Sequence, residues 1–232
     1  MDMRRPLVLL VRHGETAGNS SGRIQTPAEP LSEKGVMQAH RLGQSLRDAE
    51  KRGDFRITAA LVSDHLRTRE TASCIFDSLG LTGRDCCEEP LLQERNFGDL
   101  RGQRYEDLGG PRAVFAEAFA PPQGETWEVF RARVANAWGK IKEVAAQLSA
   151  TRDGQPEEAL LVITHGLVLM ALVDRHLELP AGSSASSFGN TSVTAVRLPS
   201  GLGRAHIERL NDLSHLPDGA LNDPALAGKA KL

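Results

Sequence analysis

Leu9-Leu10-Val11-Arg12-His13-Gly14 near the start of the chain has a counterpart far downstream, Leu161-Val162-Ile163-Thr164-His165-Gly166. In each, an unbroken apolar run stops at a histidine and a glycine. Such runs read as strands buried on both faces of a parallel sheet. In open α/β sheets, ligands bind just outside the carboxyl ends of the strands. Two histidines placed there, with Arg12 beside one of them, point to a site for an anion.

The stretches around these two runs alternate between strand and helix patterns. After Leu7–Val11, the Gly-, Ser- and Pro-rich residues Gly18–Pro30 read as a loop. Ser32 is placed to cap a helix with Val36, Ala39, Leu42 and Leu46 on one stripe and Gly53 near its end. Ala59–Val62 reads as a strand and Arg67–Leu79 as a helix. Glu88–Arg101 looks irregular, and Pro111–Pro122 has no clear period. Glu125–Ala150 is the strongest helix, its apolar face running from Trp127 and Phe130 to Leu148. Leu160–Ile163 is the second buried strand, followed by a helix over Leu167–Leu177. Gly182–Ser187 is a loop of small residues. Ser192–Leu198 and Ala205–Leu210 read as strands around a Ser200-Gly201 turn. The expected fold is α/β, with a mostly parallel but mixed central sheet and helices on both faces. Residues 1–210 would form one domain, with a helical or loop insertion at about 95–125. Residues 211–232, richer in Pro, Gly, Asp and Asn, would form a loosely docked tail.

The 232 residues suit such a domain, and 25% charged with 40% hydrophobic residues is ordinary for a soluble protein. A net charge of −2 argues against general binding to nucleic acid or an anionic membrane. Positive potential must therefore be local, which puts weight on the arginines inside motifs. Cys74, Cys86 and Cys87 form no disulfide framework, because adjacent cysteines bridge poorly. Cys74, on a helix, reads as a small core residue. The apolar run before Arg12 is too short for a signal core or a membrane span, so a cytoplasmic location is expected.

Arg12-His13-Gly14-Glu15-Thr16 with Asn19 resembles the R-H-G-[ED]-[ST]-x-x-N signature of the histidine phosphatase superfamily, which includes the phosphoglycerate mutases. Other segments follow in that family's order. They are Leu31-Ser32-Glu33-Lys34-Gly35, Ser63 to Ala72, Glu94 to Gly102, Gly124-Glu125-Thr126, Thr164-His165-Gly166 and Asn190-Thr191. The resemblance covers nearly the whole chain.

It implies a phosphomonoester hydrolase of the histidine acid type. His13 would be the nucleophile, attacking phosphorus to give a phosphohistidine that water then cleaves. Gly14 would let the backbone turn sharply and approach the ligand. Arg12 and Arg67 would grip the phosphate with their paired donors. Arg67 matches the arginine of the S-x-x-x-R-[AT]-x-x-T-A segment, in which Arg69 reads as an exposed helix charge. Asn19 would hydrogen-bond the phosphate, and His165 would donate to the phosphoryl oxygens. Thr164 and Asn190 are secondary candidates for substrate contact, with shaping of the pocket alone as the alternative. Glu94 matches the proton donor of the E-x-x-[FY]-G segment, with Asp99 as its substitute. Glu15 reads as a structural partner for the arginines. His65 departs from the commoner residues at its place and reads as surface, or at most the rim of the pocket.

No cofactor is expected, and no metal either. The chain lacks an H-E-x-x-H or H-x-H cluster, and two histidines at strand ends do not fill a metal site. The expected partner is a small phosphorylated substrate, with neither nucleic acid nor membrane; a homo-oligomer is compatible with the chain.

The main competing reading is a cofactor-dependent phosphoglycerate mutase. Glu94-Arg95 fits that pattern. However, Asn96, Phe97, Gln103, Arg104 and Tyr105 replace the H, Y, L, N and K expected in its segment. Arg112 stands alone where mutases carry paired arginines, and Gly18 replaces a tryptophan. A non-catalytic binding protein on a phosphatase fold and a metal hydrolase fit less well. The segment from about Arg101 to Gly124 would set specificity, and its sequence does not disclose the substrate.

Overall fold

In the computed structural model, the described residues are 6–80, 86–148, 156–185, 187–199 and 203–217. The chain runs β1 (Leu7–Arg12), α1 (Ala17–Ser21), α2 (Glu33–Arg52), β2 (Arg56–Val62), α3 (Leu66–Leu79) and β3 (Cys86–Glu88). It continues through α4 (Pro111–Val114), α5 (Trp127–Ala146), β4 (Glu158–Thr164), α6 (Gly166–His176), β5 (Leu177–Glu178), β6 (Val193–Arg197) and β7 (Ala205–Asp212). The fold is α/β, built on a seven-stranded sheet in the order β3-β2-β4-β1-β6-β7-β5. The pairs β3–β2, β2–β4, β4–β1 and β7–β5 are parallel, whereas β1–β6 and β6–β7 are antiparallel.

Every residue of β1 is buried, and alternation sorts its side chains between two cores. Leu7, Leu9 and Val11 pack with Leu42, Leu46 and Ile75 of α2 and α3. Val8 and Leu10 join Phe130, Ile141 and Val168 of α5 and α6 on the other face. Burial of each large aliphatic chain contributes about 1.5–3 kcal/mol. A continuous apolar run at the centre of the sheet follows directly from this two-sided burial.

Helix boundaries follow local chemistry. Ser32 caps α2 by accepting from the Gly35 N–H at 3.1 Å, and Gly53 ends the helix in the left-handed region. Thr126 caps α5 in the same way through the Val129 N–H at 3.2 Å, so this helix starts at Trp127. Its expected end at Ala150 lies outside the described residues, as does the Ser200-Gly201 turn between the antiparallel neighbours β6 and β7.

Several expectations need correction. The expected loop after His13 opens with a helical turn, α1, capped by Thr16. Strand β2 begins at Arg56 rather than Ala59, pairing with β4 through a bulge at Ile57–Ala59. Val36 is 37% exposed, because α2 turns Gln38, Ala39 and Leu42 to the protein instead. Cys74 is half-buried rather than a core residue.

The C-terminal boundary also moves. β7 passes residue 210 and ends at Asp212, and residues 213–217 stay against the sheet end. Leu213 fills the space beside Gly189, where a Cβ would lie 2.4 Å from its Cδ1. The remainder of the expected tail lies outside the described residues. In the expected insertion, residues 102–105 lace onto residues 22–24: Ile24 N–H donates to Gln103 O (2.9 Å), Gly102 N–H to Ile24 O (2.7 Å) and Tyr105 N–H to Gly22 O (3.0 Å). This lacing brings the middle of the chain over the carboxyl end of β1.

Candidate active site

The parallel register of β1 and β4 pairs Arg12 with Thr164, so His13 and His165 leave adjacent strands at the same level. Their ring centroids are 5.2 Å apart. The His13 N–H donates to Thr164 O at 3.0 Å, which ties the two strand ends together. Both imidazoles are buried.

The orientation of His13 fixes its chemistry. Its Nδ1–H donates to the carbonyl of Gly14 at 2.7 Å. Nε2 is therefore the nitrogen with the lone pair, and it accepts from Arg67 Nε at 3.2 Å. Burial, then the Arg67 and Arg12 guanidinium groups, hold the imidazole well below its ordinary pKa. A neutral ring with a defined tautomer is what nucleophilic attack through Nε2 requires.

Arg67 lies in the first turn of α3 and is 1% exposed. Burial pushes its pKa down to about 10, opposed by Glu94 and Glu29, so it stays charged at neutral pH. Its Nη1 also donates to Thr26 O at 2.9 Å. The two threonines of this segment do the positioning. Thr68 Oγ1 donates to Ser63 O at 2.7 Å and closes the strand-to-helix corner. Thr71 Oγ1 donates to Arg67 O (2.7 Å) and accepts from the Gly14 N–H (3.0 Å), linking the arginine to the nucleophile's loop. Arg12 donates to Phe188 O at 2.5 Å, its side chain lying beside Gly166.

A single cleft is lined by Arg12, His13, Asn19, Arg67 and Glu94, together with Arg23, His65, Arg95 and Arg101. Its apolar wall is Ile24, Phe97, Tyr105, Phe115 and Leu167. Asn19 Oδ1 accepts from the Thr16 N–H (3.1 Å) and from Asn190 Nδ2 (3.2 Å), which leaves its own amide N–H groups as the donors for a ligand. Glu94 accepts from the Arg95 N–H at 3.0 Å and from the Leu167 N–H, at the start of α6, at 3.2 Å. The turn that carries it is clamped by Arg133, which donates to Leu91 O, Gln93 O and Glu94 O and pairs with Glu125 at 2.7 Å. Asp99 is exposed and does not line the cleft. Arg69 is exposed and faces Glu88 at 3.6 Å.

His165 Nε2 lies 2.8 Å from Ser63 Oγ, while its Nδ1 is buried with no hydrogen-bond partner. The His65 N–H contacts the same oxygen at 3.5 Å, so the hydroxyl hydrogen is available to His165. A hydroxyl hydrogen directed at Nε2 would leave the His165 proton on Nδ1, and the reverse direction, Nε2–H to Ser63 Oγ, would leave Nδ1 as an acceptor.

Thr164 and Asn190 do not line the cleft, and their bonds to the protein itself fit the pocket-shaping alternative. Thr164 Oγ1 donates to Leu92 O at 2.8 Å, steadying the approach to Glu94; Asn190 Nδ2 donates to His13 O at 3.0 Å. Glu15 partners Lys34 (2.6 Å) and Ser32 (3.1 Å), not the arginines. Gly14 is needed for packing rather than for a sharp turn: a Cβ there would lie 2.6 Å from Gly35 O, so the missing side chain lets the start of α2 touch the nucleophile's loop. His65 is 7% exposed, lines the cleft and meets His165 edge-on, with centroids 4.9 Å apart. Sequence reading also missed Ser63, Thr71, Arg133 and Thr191 as positioning residues. Thr191 sits at φ 61° with its N–H 3.0 Å from Arg12 O, and no propensity announces a β-branched residue in that conformation.

The neutral histidines have a consequence for stability. Burial first holds His13 and His165 well below 6.5, and holds His65 and His215 at about 4. Below about 6.5 the unfolded chain takes up protons that the folded state refuses. Stability should therefore fall as pH drops from 6.5 toward 4, with up to about four protons bound on unfolding. Urea midpoints measured across that range check this; a flat profile would contradict the neutral assignment.

A buried histidine with two arginines beside it at the end of a central β strand is an arrangement suited to binding a phosphoryl group. The chain belongs to the histidine phosphatase superfamily (branch 1), whose family model matches residues 8–213. It is similar to the protein of Erwinia tasmaniensis named "Probable phosphoglycerate mutase GpmB", with 32% identity over 228 residues, spanning 93% of this chain and 97% of that one. Among solved structures it resembles phosphoglycerate mutase from Bacillus anthracis, with 28% identity and a TM-score of 0.71 over 93% of this chain and 97% of that one. YhfR of Bacillus stearothermophilus has 27% identity and a TM-score of 0.70, over 90% and 98%. Among the described residues, no helix is long and apolar enough to cross a membrane.

Proposed function

We propose that the protein is a phosphomonoester hydrolase acting through a phosphohistidine on His13. The observation that carries this reading is the presentation of Nε2, with Nδ1 committed to Gly14 O and Arg67 3.2 Å from the lone pair. An entering phosphate dianion takes the place of that lone pair as the partner of Arg67. Nε2 attacks phosphorus in line with the leaving oxygen. Arg12, Arg67, Asn19 and the Nδ1–H of His165 receive the charge on the three non-bridging oxygens. Glu94 gives a proton to the departing alkoxide. The resulting carboxylate then takes a proton from the water that cleaves the phosphohistidine, and inorganic phosphate leaves. The two arginines supply the charge that a metal supplies elsewhere, so no step calls for a metal or cofactor.

Hydrolysis is favoured over mutase transfer by the wall opposite His13. A mutase must hold a glycerate acceptor and exclude water from the phosphohistidine. Here Phe97 is buried against Phe115, with ring centroids 6.4 Å apart, and offers no hydroxyl. Tyr105 lies 5.5 Å from Phe115 where the mutase pattern carries an ammonium group. At Gly18, where that pattern carries a tryptophan, the space is taken by the Glu29 carboxylate, which accepts from the Gly18 N–H. Arg95 keeps a mutase-like dipeptide, yet its guanidinium lies 4.1 Å over the Trp127 ring and donates to Glu125 O and Phe119 O.

The test supplies 3-phosphoglycerate with catalytic 2,3-bisphosphoglycerate, and measures 2-phosphoglycerate and free phosphate together in excess chelator. Phosphate release matching or exceeding isomerisation, and undiminished by chelation, is expected. Isomer formation faster by orders of magnitude would install the mutase, and a strict metal requirement would reject the charge assignment.

A further inference from the structure

Beyond the groups that serve the phosphoryl oxygens, the cleft holds a third imidazole. His65 caps the start of α3, two residues before Arg67, and packs edge-on against His165. It is 7% exposed. Its Nδ1 is sealed from solvent, and among the described residues its ring has no hydrogen-bond partner. A ring that only filled space would be better replaced by an apolar side chain, since a buried polar atom without a partner is unfavourable.

The orphan atom decides the tautomer. A sealed N–H without an acceptor is rarer than a sealed acceptor without a donor. The hydrogen therefore belongs on Nε2, which is not among the sealed unpartnered atoms, in a ring that lines the cleft. Burial first, then Arg67, hold the ring's pKa at about 4, so this donor is uncharged near neutral pH. Arg12, Arg67 and Asn19 line the cleft beside His13. His65 lies beyond His165, where Arg101 is also close enough to act on it electrostatically.

We propose that His65 determines specificity by donating its Nε2–H to an oxygen, a hydroxyl or carboxylate, on the alcohol part of the phosphoester. The proposal rests on the phosphatase reading and adds a substrate class: esters whose alcohol carries an oxygen acceptor near the phosphate, rather than plain aryl or alkyl phosphates.

The test compares wild type, His65→Leu and His65→Gln on 3-phosphoglycerate, glycerol 3-phosphate and phenyl phosphate. In His65→Leu, the loss of kcat/KM on 3-phosphoglycerate should exceed that on phenyl phosphate by about tenfold or more, the scale of a hydrogen bond to a charged acceptor. Glycerol 3-phosphate should show the same order with a smaller ratio. His65→Gln keeps an N–H donor and should recover much of the discrimination. Equal losses on all three esters, or a glutamine variant no more selective than leucine, would overturn the proposal. Urea midpoints of both variants separate a folding defect from lost selectivity, and if leucine unfolds the protein the glutamine comparison decides. If the wild type released no phosphate from any ester, the phosphatase reading would fall by itself. Calorimetric Kd values for the same esters would then judge His65 by the same ratio.

Discussion

Replacing His13 with alanine should abolish phosphate release, with a loss in kcat on the order of 10⁶, as for other enzymes that lose a covalent nucleophile. The variant should still fold, because the backbone bonds that hold this position do not use the imidazole. The His13 N–H bonds to Thr164 O, and the carbonyl accepts from Asn190 Nδ2. Rapid acid-free denaturation of the wild type during turnover should trap a base-stable, acid-labile phosphoryl group on the protein. The alanine variant should trap none. Residual activity near the wild-type level would remove His13 from the mechanism. An enzyme-bound phosphoryl group in the variant would point to another nucleophile.

Arg67→Lys should lose roughly 10²–10³ in kcat, although the formal charge is kept. Two effects act together. A lysine ammonium is a point donor and cannot reproduce the pair of directions that Arg67 turns toward His13 Nε2 and Thr26 O. Arg67 is also almost fully buried, and burial already draws its guanidinium down to about 10. Lysine starts from a lower pKa, so the same burial carries it closer to neutrality. The charged form is lost as pH rises, so the deficit should deepen on the alkaline side of neutral. A pH profile of kcat/KM for both proteins tests this. Full activity in the lysine variant, or a deficit that does not change with pH, would mean that Arg67 serves the fold rather than the phosphate.

The legible part of this molecule was whatever the chain states locally. Buried strands announce themselves as unbroken apolar runs, and the residue that leaves such a strand is then fixed in space. That is why His13 and His165 could be placed side by side from sequence. Ser32, a capping serine, located the start of α2 for the same reason. What stayed hidden depends on partners far away in the chain. Glu15 was read as a partner for the arginines, but Lys34 and Ser32 are brought to it by the turn into α2. Thr164 ends β4 and Asn190 leads into β6, yet nothing in their neighbourhoods says that Leu92 O and His13 O take their donors. His65 was read as surface or at most pocket rim; it is buried and packs against the ring of His165, 100 residues further on (165 − 65).

The place of β1 between β4 and β6 has a consequence during synthesis. The strand that ends in His13 is made among the first residues, but its neighbours on both sides come from the last third of the chain. Between His13 and His165 the ribosome must add 152 residues (165 − 13). At ordinary elongation rates that takes about 8–30 s. For all of that interval, His13 belongs to a nascent polypeptide whose reactive centre has not been assembled. The chemistry therefore switches on late and all at once, when β4 slides in beside β1 and delivers the second imidazole. A shortened chain that stops before Glu158 would carry the whole signature around His13 and yet possess no site.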